Sequence, residues 1–266
     1  MDLINSFQFF IRDFIFTIKS YREVLPFIQK NKLWKGFLDY SWVTKFLLII
    51  GILVSLKFAG VFNDFFSQTS QQGISFNSLG NLVSNTINEG YDLFENSGFK
   101  YVILILMEVV IFHFARKTLE ILNGEKEEVK FNTFIKAQVR MVKVVLFAFV
   151  METILIVLVD VVLSILGIEV VKPVLSFIIH CFFLGFVIID NYNEIYQMSI
   201  KQSFKYTQQY TGVSIGIGIV VYVLMLLPVL GAFLAPLLAA VTATITMYEL
   251  DKKDDSLEEV IVKNVI

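Results

Sequence analysis

The apolar residues of this chain fall into five blocks separated by polar connections. This pattern predicts an all-α integral membrane protein with one membrane domain over residues 1–266. The predicted elements are an amphipathic helix at 1–30, spans at 44–62 and 99–122, a central hairpin at 144–189 and a C-terminal hairpin at 212–249. The connections are an outside loop at 63–98, an amphipathic linker at 190–211 and a charged tail at 250–266.

The longest apolar block contains no charge from residue 206 to residue 248. As one helix it would be about 65 Å long, twice the roughly 30 Å thickness of the hydrocarbon layer. Pro228 and Pro236 each remove a backbone donor, which predicts a hairpin with its apex between them. The first arm, about 22 Å long, favours partial penetration of the bilayer, and two short tilted crossings are the alternative.

The first thirty residues repeat their apolar positions every three or four residues, with charged residues between them. Such a pattern predicts an amphipathic helix. The helix can lie in the membrane interface, or it can pack on the core of the protein, and the pattern fits both positions.

The cations lie almost wholly on one alternating set of connections, and the loop at 63–98 contains no Lys or Arg. Cytoplasmic loops of membrane proteins carry an excess of Lys and Arg. We therefore expect a multi-pass protein of the cytoplasmic (inner) membrane, with both termini in the cytoplasm and this loop outside.

The composition agrees with a protein whose main partner is the lipid bilayer. Hydrophobic residues make up 56% of the chain, mean hydropathy is +0.71, and charged residues make up 17%, against about 25% in soluble domains. A net charge of -2 provides no basic field, so nucleic acid is not expected as a partner.

Five ionisable residues lie inside the apolar blocks, namely Glu108, His113, Glu152, Asp160 and His180. A charge near the bilayer centre costs at least about 2.5 kcal/mol, so such residues usually face a protein interior or water. One hypothesis is a proton or ion path, in which the histidines change charge near neutral pH. The other is polar contact between helices without transport.

The central hairpin offers one specific pair of these residues. If the chain turns near Val170, Asp160 and His180 each lie ten residues from the turn, which predicts contact between them. No Lys or Arg is expected deep inside these blocks. An anion would then have to be bound by helix amino termini, backbone donors or protonated histidine.

Small residues form a further motif near the C-terminal hairpin. Gly212 and Gly216 have GxxxG spacing, and Gly218 follows them. Small residues at this spacing let helix backbones approach closely in lipid. We expect the two arms of the hairpin to pack there, and a subunit contact is the alternative.

No enzyme signature is present. The chain contains no HExxH, G-x-S-x-G or CxxC motif, and its two histidines lie in different segments. We therefore predict no enzymatic activity, no cofactor and no metal site.

Several short motifs occur in a defined order. They are Lys32 to Val43, Ile189-Asp190-Asn191-Tyr192, Gly216-Ile217-Gly218, Leu227-Pro228, Pro236 and Ala243-Thr244. In order and spacing the chain resembles the CysZ-type sulfate permease and etoposide-induced membrane protein family over roughly a third of its length. The resemblance implies two true transmembrane helices, two hairpins that partly penetrate the bilayer, a homo-oligomer and, in the best-known branch, sulfate uptake.

The same resemblance implies an anion-binding segment. Relatives carry Gly-Leu-Arg before the first span, where this chain has Lys32-Leu33-Trp34-Lys35, with lysine for the glycine and tryptophan for the arginine. A planar guanidinium and a point-like ammonium are not equivalent in binding an oxyanion, although Lys32 or Lys35 can supply positive charge. We expect a permease or channel for a small solute, with sulfate or a similar oxyanion first. The alternative is a non-transporting membrane scaffold or envelope-maintenance protein.

Overall fold

The computed structural model describes residues 3–35, 99–124, 131–226 and 230–265, with a few isolated helical positions between 56 and 88. This part of the chain consists of helices and turns without a strand, which confirms the predicted all-α class. The helices are α1 (Leu3–Asn31), α2 (Phe99–Asn123), α3 (Phe131–Leu166), α4 (Lys172–Ile195), α5 (Ile200–Gln209), α6 (Thr211–Met225) and α7 (Leu230–Val265). The predicted span at 44–62, most of the loop at 63–98 and Pro228 lie outside the described residues.

Three of the described helices are long and apolar enough to cross a membrane, namely Asn132–Leu166, Glu169–Ile195 and Phe233–Lys253. A fourth crossing is present if α5 and α6, which meet at an angle of 96°, count as one broken span. Helix α2 was predicted as a span, but every stretch of 18 residues in it contains at least three charged residues, whereas each of these three helices has an apolar stretch with no more than two. Most of its side chains are buried, so α2 is an inner helix of the bundle.

Helix α1 has two different faces. Asp13, Thr17 and Val24 are buried against α6 and α7, whereas Phe7 and Leu25 are exposed on the other face. Of the two positions that the pattern allowed, the structure has the packed one. The exposed side carries apolar residues such as Phe7 and Leu25 together with charged residues such as Lys19 and Arg22, a mixture that suits the membrane interface.

The glycines of the GxxxG motif pack on α1. A Cβ atom at Gly212 would lie 2.2 Å from the carbonyl oxygen of Phe10, and one at Gly216 would lie 3.2 Å from the side chain of Thr17. The two hairpin arms pack on each other as predicted, but these glycines face α1 and not the other arm. The spacing indicates that another backbone comes close, but it does not identify which helix supplies that backbone.

Helix α6 is equally close to α4 on another side. A Cβ atom at Gly218 would lie 1.8 Å from the Cys181 carbonyl oxygen, and one at Gly185 would lie 1.9 Å from the Ser214 carbonyl oxygen. The hydroxyl of Ser214 donates to the Phe182 carbonyl over 2.7 Å. Helix α6 is thus held between α1 and α4 by direct backbone approach.

The apex of the C-terminal hairpin is shorter than predicted. Helix α6 ends at Met225 and α7 begins at Leu230, so Pro236 lies inside α7 and not at the apex. A proline so near a helix start disturbs few backbone hydrogen bonds, which explains why the helix continues through it. The depth of this hairpin in the bilayer stays a prediction.

The central hairpin turns between Leu166 and Lys172. Gly167 has a left-handed φ of 68°, which suits glycine at a helix end, and a 3-10 turn over Glu169–Val171 leads into α4. The turn itself is open, since Val170 is 91% exposed. The last four turns of α3 carry exposed apolar side chains on most sides, as is typical of a helix surrounded by lipid.

Candidate functional site

Four buried polar side chains meet between α2, α3 and α4, and we call them the Lys100 cluster. The ammonium group of Lys100 lies 2.6 Å from Oε1 of Glu152 and 2.7 Å from Nδ1 of His180. Nδ1 of His180 lies 2.6 Å from the same Oε1, and the hydroxyl of Tyr101 donates to Oε2. Lys100 is only 2% exposed, so the ammonium group is removed from solvent.

The local sequence explains how these side chains meet. Lys100 and Tyr101 occupy the first turn of α2, Glu152 lies on the buried stripe of α3, and His180 begins the buried half of α4. A charge inside a helix bundle is tolerated when it is paired and hydrogen-bonded. The opposite charges of Lys100 and Glu152 provide that pairing, so the cluster joins three helices.

The predicted contact of Asp160 with His180 is wrong. His180 contacts Glu152 and Lys100, and Glu152 lies eight residues before Asp160 on the same helix. The prediction assumed two arms of equal length around one point. The turn instead occupies several residues, and the arms do not meet at equal distances from it: Glu152 lies 14 residues before the end of α3, whereas His180 lies eight residues after the start of α4. The expectation of no deeply buried lysine is also wrong.

A second polar group, the Arg140 cluster, consists of Arg140, Asp190 and the Met198 carbonyl. Nε and Nη2 of Arg140 donate to the two carboxylate oxygens of Asp190 over 2.9 and 2.8 Å. Nη1 donates to the carbonyl of Met198 over 2.6 Å. This bidentate geometry satisfies both carboxylate oxygens and ties the start of α3 to the end of α4 and the turn after it.

Glu108 lies on α2 and is 1% exposed. Neither of its carboxyl oxygens has a hydrogen bond of good geometry among the described residues, and the side-chain amide of Asn191 is only a weak partner. Asn191 lies beside it, and the side-chain oxygen of Asn191 also has no described donor. A buried group of this kind usually requires a proton, an ion or a water molecule to complete its hydrogen bonding.

The segment implied to bind an anion forms the turn after α1. Lys32, Trp34 and Lys35 are exposed, whereas Leu33 is fully buried. The imidazole Nε2 of His113 on α2 lies 3.3 Å from the Leu33 carbonyl, so His113 holds this turn and not the Lys100 cluster. Lys32 has a left-handed φ of 51°, a conformation that glycine adopts without cost, in agreement with the glycine that relatives carry there.

Another carboxylate links the last helix to α4 and α5. Asp251 accepts a hydrogen bond from the hydroxyl of Tyr192 over 2.6 Å and another from the hydroxyl of Tyr206.

Within the described ranges, no group of three or more His, Cys, Asp or Glu side chains is placed to hold a metal ion.

The structure therefore brings together two of the five predicted ionisable residues, Glu152 and His180. Lys100, Tyr101 and Arg140 were not singled out from the sequence, because each lies near an end of an apolar block. One signal was available. An ionised carboxylate buried in an apolar block is usually paired with a cation, which directs attention to the few lysines and arginines within reach.

Comparison with known proteins gives one match. The family model described as Sulfate transporter CysZ/Etoposide-induced protein 2.4 matches residues 4–236, which is most of the chain. No curated protein and no solved structure matches.

Proposed function

We propose that this chain, which belongs to the sulfate transporter CysZ/etoposide-induced protein 2.4 family, is a membrane permease or channel for a small solute. Sulfate or a similar oxyanion is the first candidate. The observation that supports this proposal best is a row of buried and half-buried polar side chains between α2, α3 and α4, in which the Lys100 cluster, Glu108 and the Arg140 cluster follow one another.

The spacing of these groups suits a route along the helices. Glu108 lies eight residues after Lys100 on α2, which is about 12 Å of helix. Asp190 lies ten residues after His180 on α4, about 15 Å of helix. In our proposal Glu152 and His180 exchange a proton across their contact, Glu108 exchanges protons with water that enters this row of polar groups, His113 positions the turn after α1, and Asp160 takes no part.

The exposed turn at Lys32 to Lys35 is our candidate for first contact with the anion. Its two ammonium groups provide positive charge at the surface, and Trp34 exposes its ring beside them. The carbonyl of the intervening Leu33 is bound to α2 through His113, so an anion held at this turn is coupled to the helix that carries Glu108. Replacing both lysines by Gln should weaken uptake, and replacing the exposed Lys30 by Gln should not.

We further propose a homo-oligomer in the cytoplasmic membrane with both termini in the cytoplasm. Cysteine labelling tests the orientation, since the one native cysteine, Cys181, is buried. Cysteines at the exposed Asn81 and Asn123 should react with an impermeant reagent from opposite sides. The same labelling tests how deeply the C-terminal hairpin enters the membrane. The cysteine is better placed at the exposed Leu234 than at Gly231 near the apex, because a Cβ atom at Gly231 would collide with the Leu224 carbonyl.

The decisive experiment is uptake of radiolabelled sulfate into liposomes that contain the purified protein. We expect uptake above that of empty liposomes, and competition by unlabelled sulfate. If neither sulfate nor phosphate, nitrate or bicarbonate enters faster than in empty liposomes, the permease proposal fails. That outcome would favour the non-transporting scaffold.

A further inference from the structure

Three hydrogen-bonding groups from two helices converge on one carboxylate in the Lys100 cluster. The ammonium of Lys100 and the Nδ1 atom of His180 each lie 2.6 Å from Oε1 of Glu152. The hydroxyl of Tyr101 donates to Oε2. The three groups belong to α2 and α4, whereas the carboxylate belongs to α3.

An ammonium, an imidazole and a phenol form the kind of donor set that binds an oxyanion. Hydrogen bonds from charged donors to carboxylate or phosphate are about twice as strong as neutral ones. Burial strengthens them further, because the surroundings screen charge weakly. All three groups are at least nine-tenths buried.

The contacts around Oε1 cannot all be favourable at once. Lys100 also lies 2.7 Å from Nδ1 of His180. When Nδ1 of His180 accepts a hydrogen bond from Lys100, the Nδ1 atom carries no proton and repels the negative Oε1 of Glu152. When Nδ1 is protonated and donates to Oε1, its proton repels the ammonium group of Lys100. One side of this triangle is therefore repulsive in either state, which weakens the hold on Glu152.

Glu152 also lies on the least enclosed of the three helices. Its neighbours Phe149, Val150, Ile154 and Leu155 are exposed, so only a narrow stripe of α3 packs on the bundle at this level. Lys100 and Tyr101, in contrast, lie on an inner helix. A small shift or rotation of α3 would withdraw the carboxylate while the three groups stay together.

We propose that Lys100, Tyr101 and His180 form a binding site for a small oxyanion, and that Glu152 occupies this site as an internal anion. A free oxyanion then enters by displacing the carboxylate. The role of this site in transport rests on the proposed function, whereas its affinity for anions does not.

The test uses the full-length Glu152→Ala variant, which removes the internal carboxylate and leaves space beside the three groups. Formate and sulfate are added separately in detergent micelles, with ionic strength kept constant by chloride. Each bound anion should raise the unfolding midpoint by about 2–4 °C. The wild-type protein should respond less, because Glu152 competes for the same donors.

Two further variants serve as controls. Glu152→Ala combined with Lys100→Met should lose the response, because the main charge of the site is gone. Asp160→Ala removes a carboxyl from the same helix outside the cluster, and should respond no more than the wild-type protein. An oxyanion effect no larger than that of chloride in Glu152→Ala would overturn the proposal, and so would an equal effect in Asp160→Ala.

If Glu152→Ala does not fold, Glu152→Gln keeps the size of the side chain and removes its charge. The chain has two histidines, so ¹⁵N-labelled histidine gives two sets of signals, and a His113→Gln variant assigns them. Formate or sulfate should then shift the His180 signals, and unchanged signals would contradict the site. Anion binding without uptake into liposomes would refute the permease alone, and uptake without anion binding would refute this site alone.

Discussion

The Lys100 cluster and the Arg140 cluster both join α3 to α4, yet they bind their carboxylates in different ways. Arg140 donates to both oxygens of Asp190 and to the Met198 carbonyl, so each short contact has one donor and one acceptor. In the Lys100 cluster, one oxygen of Glu152 receives two contacts from groups that also contact each other. The first arrangement is complete, and the second has a repulsive contact.

The difference follows from the chemistry of the two cations. The guanidinium is a flat fork that matches a carboxylate and keeps its charge, whereas the ammonium is a compact charge that accepts several geometries. A guanidinium group therefore suits a permanent contact between helices. An ammonium suits a site whose partner changes. We therefore assign the Arg140 cluster to stability and the Lys100 cluster to function, and the following predictions test that division.

The largest effect is expected from Arg140→Met. It leaves the buried carboxylate of Asp190 without its cation, which should lower the free energy of unfolding by about 3–5 kcal/mol. Unfolding by SDS titration in detergent micelles measures this loss. Lys136→Met removes an exposed cation from the same helix. An equal loss in that variant would show that the bidentate contact between Arg140 and Asp190 has no special role.

The next prediction concerns pairs of replacements. Lys100→Met and Glu152→Leu should each destabilise the protein, and together they should recover much of the loss, with a coupling of about 0.5–3 kcal/mol. Arg140→Met with Asp190→Leu should recover less, because the Met198 carbonyl is left without its donor. Equal recovery in the two double variants would remove the distinction between the clusters.

Arg140→Lys separates charge from shape. The ammonium keeps the charge but loses the parallel pair of hydrogen bonds, so we expect a loss of about 1.5–3 kcal/mol in the free energy of unfolding. The same SDS titration measures it. The exposed Lys143→Arg is the matched reverse replacement and should change little. If Arg140→Lys left the free energy of unfolding unchanged, charge alone would account for the contact between Arg140 and Asp190.

The smallest effect is expected from Asp160→Asn. Asp160 is half-buried and has no hydrogen bond to His180, so the change in unfolding free energy should stay within about 0.5 kcal/mol. The ¹⁵N signals of His180 should also be unchanged. A shift in those signals would restore the contact that the sequence pattern predicted.

Much of the fold could be predicted from the sequence, because hydrophobic periodicity and length determine helices in a membrane. Helix α2 begins at Phe99 and ends at Asn123, within one residue of the predicted span at 99–122, and the central turn contains Val170. The partners of Gly212 and Gly216 could not be predicted, since small residues mark a close approach without naming the other helix.

The candidate site was harder to predict for a geometric reason. A contact across a hairpin depends on the length of the turn and the tilt of the arms, and each additional residue rotates a helix by about 100°. Glu152 and His180 were both identified as ionisable residues in apolar blocks, but Asp160 was chosen as the partner. Lys100 follows the polar loop by two residues, so its burial depends on packing that no local pattern records.

The close approach of Gly212 and Gly216 to α1 has a consequence for biosynthesis. Helix α1 is the first described helix to leave the ribosome, and its partner α6 is made about 200 residues later. Until then the polar side chains of Asp13 and Thr17 lack the surface that covers them in the finished protein. Contacts so distant along the chain form late and slowly. Final assembly of this bundle must therefore follow synthesis of α6, and until then the buried face of the amphipathic α1 has no α6 to pack on.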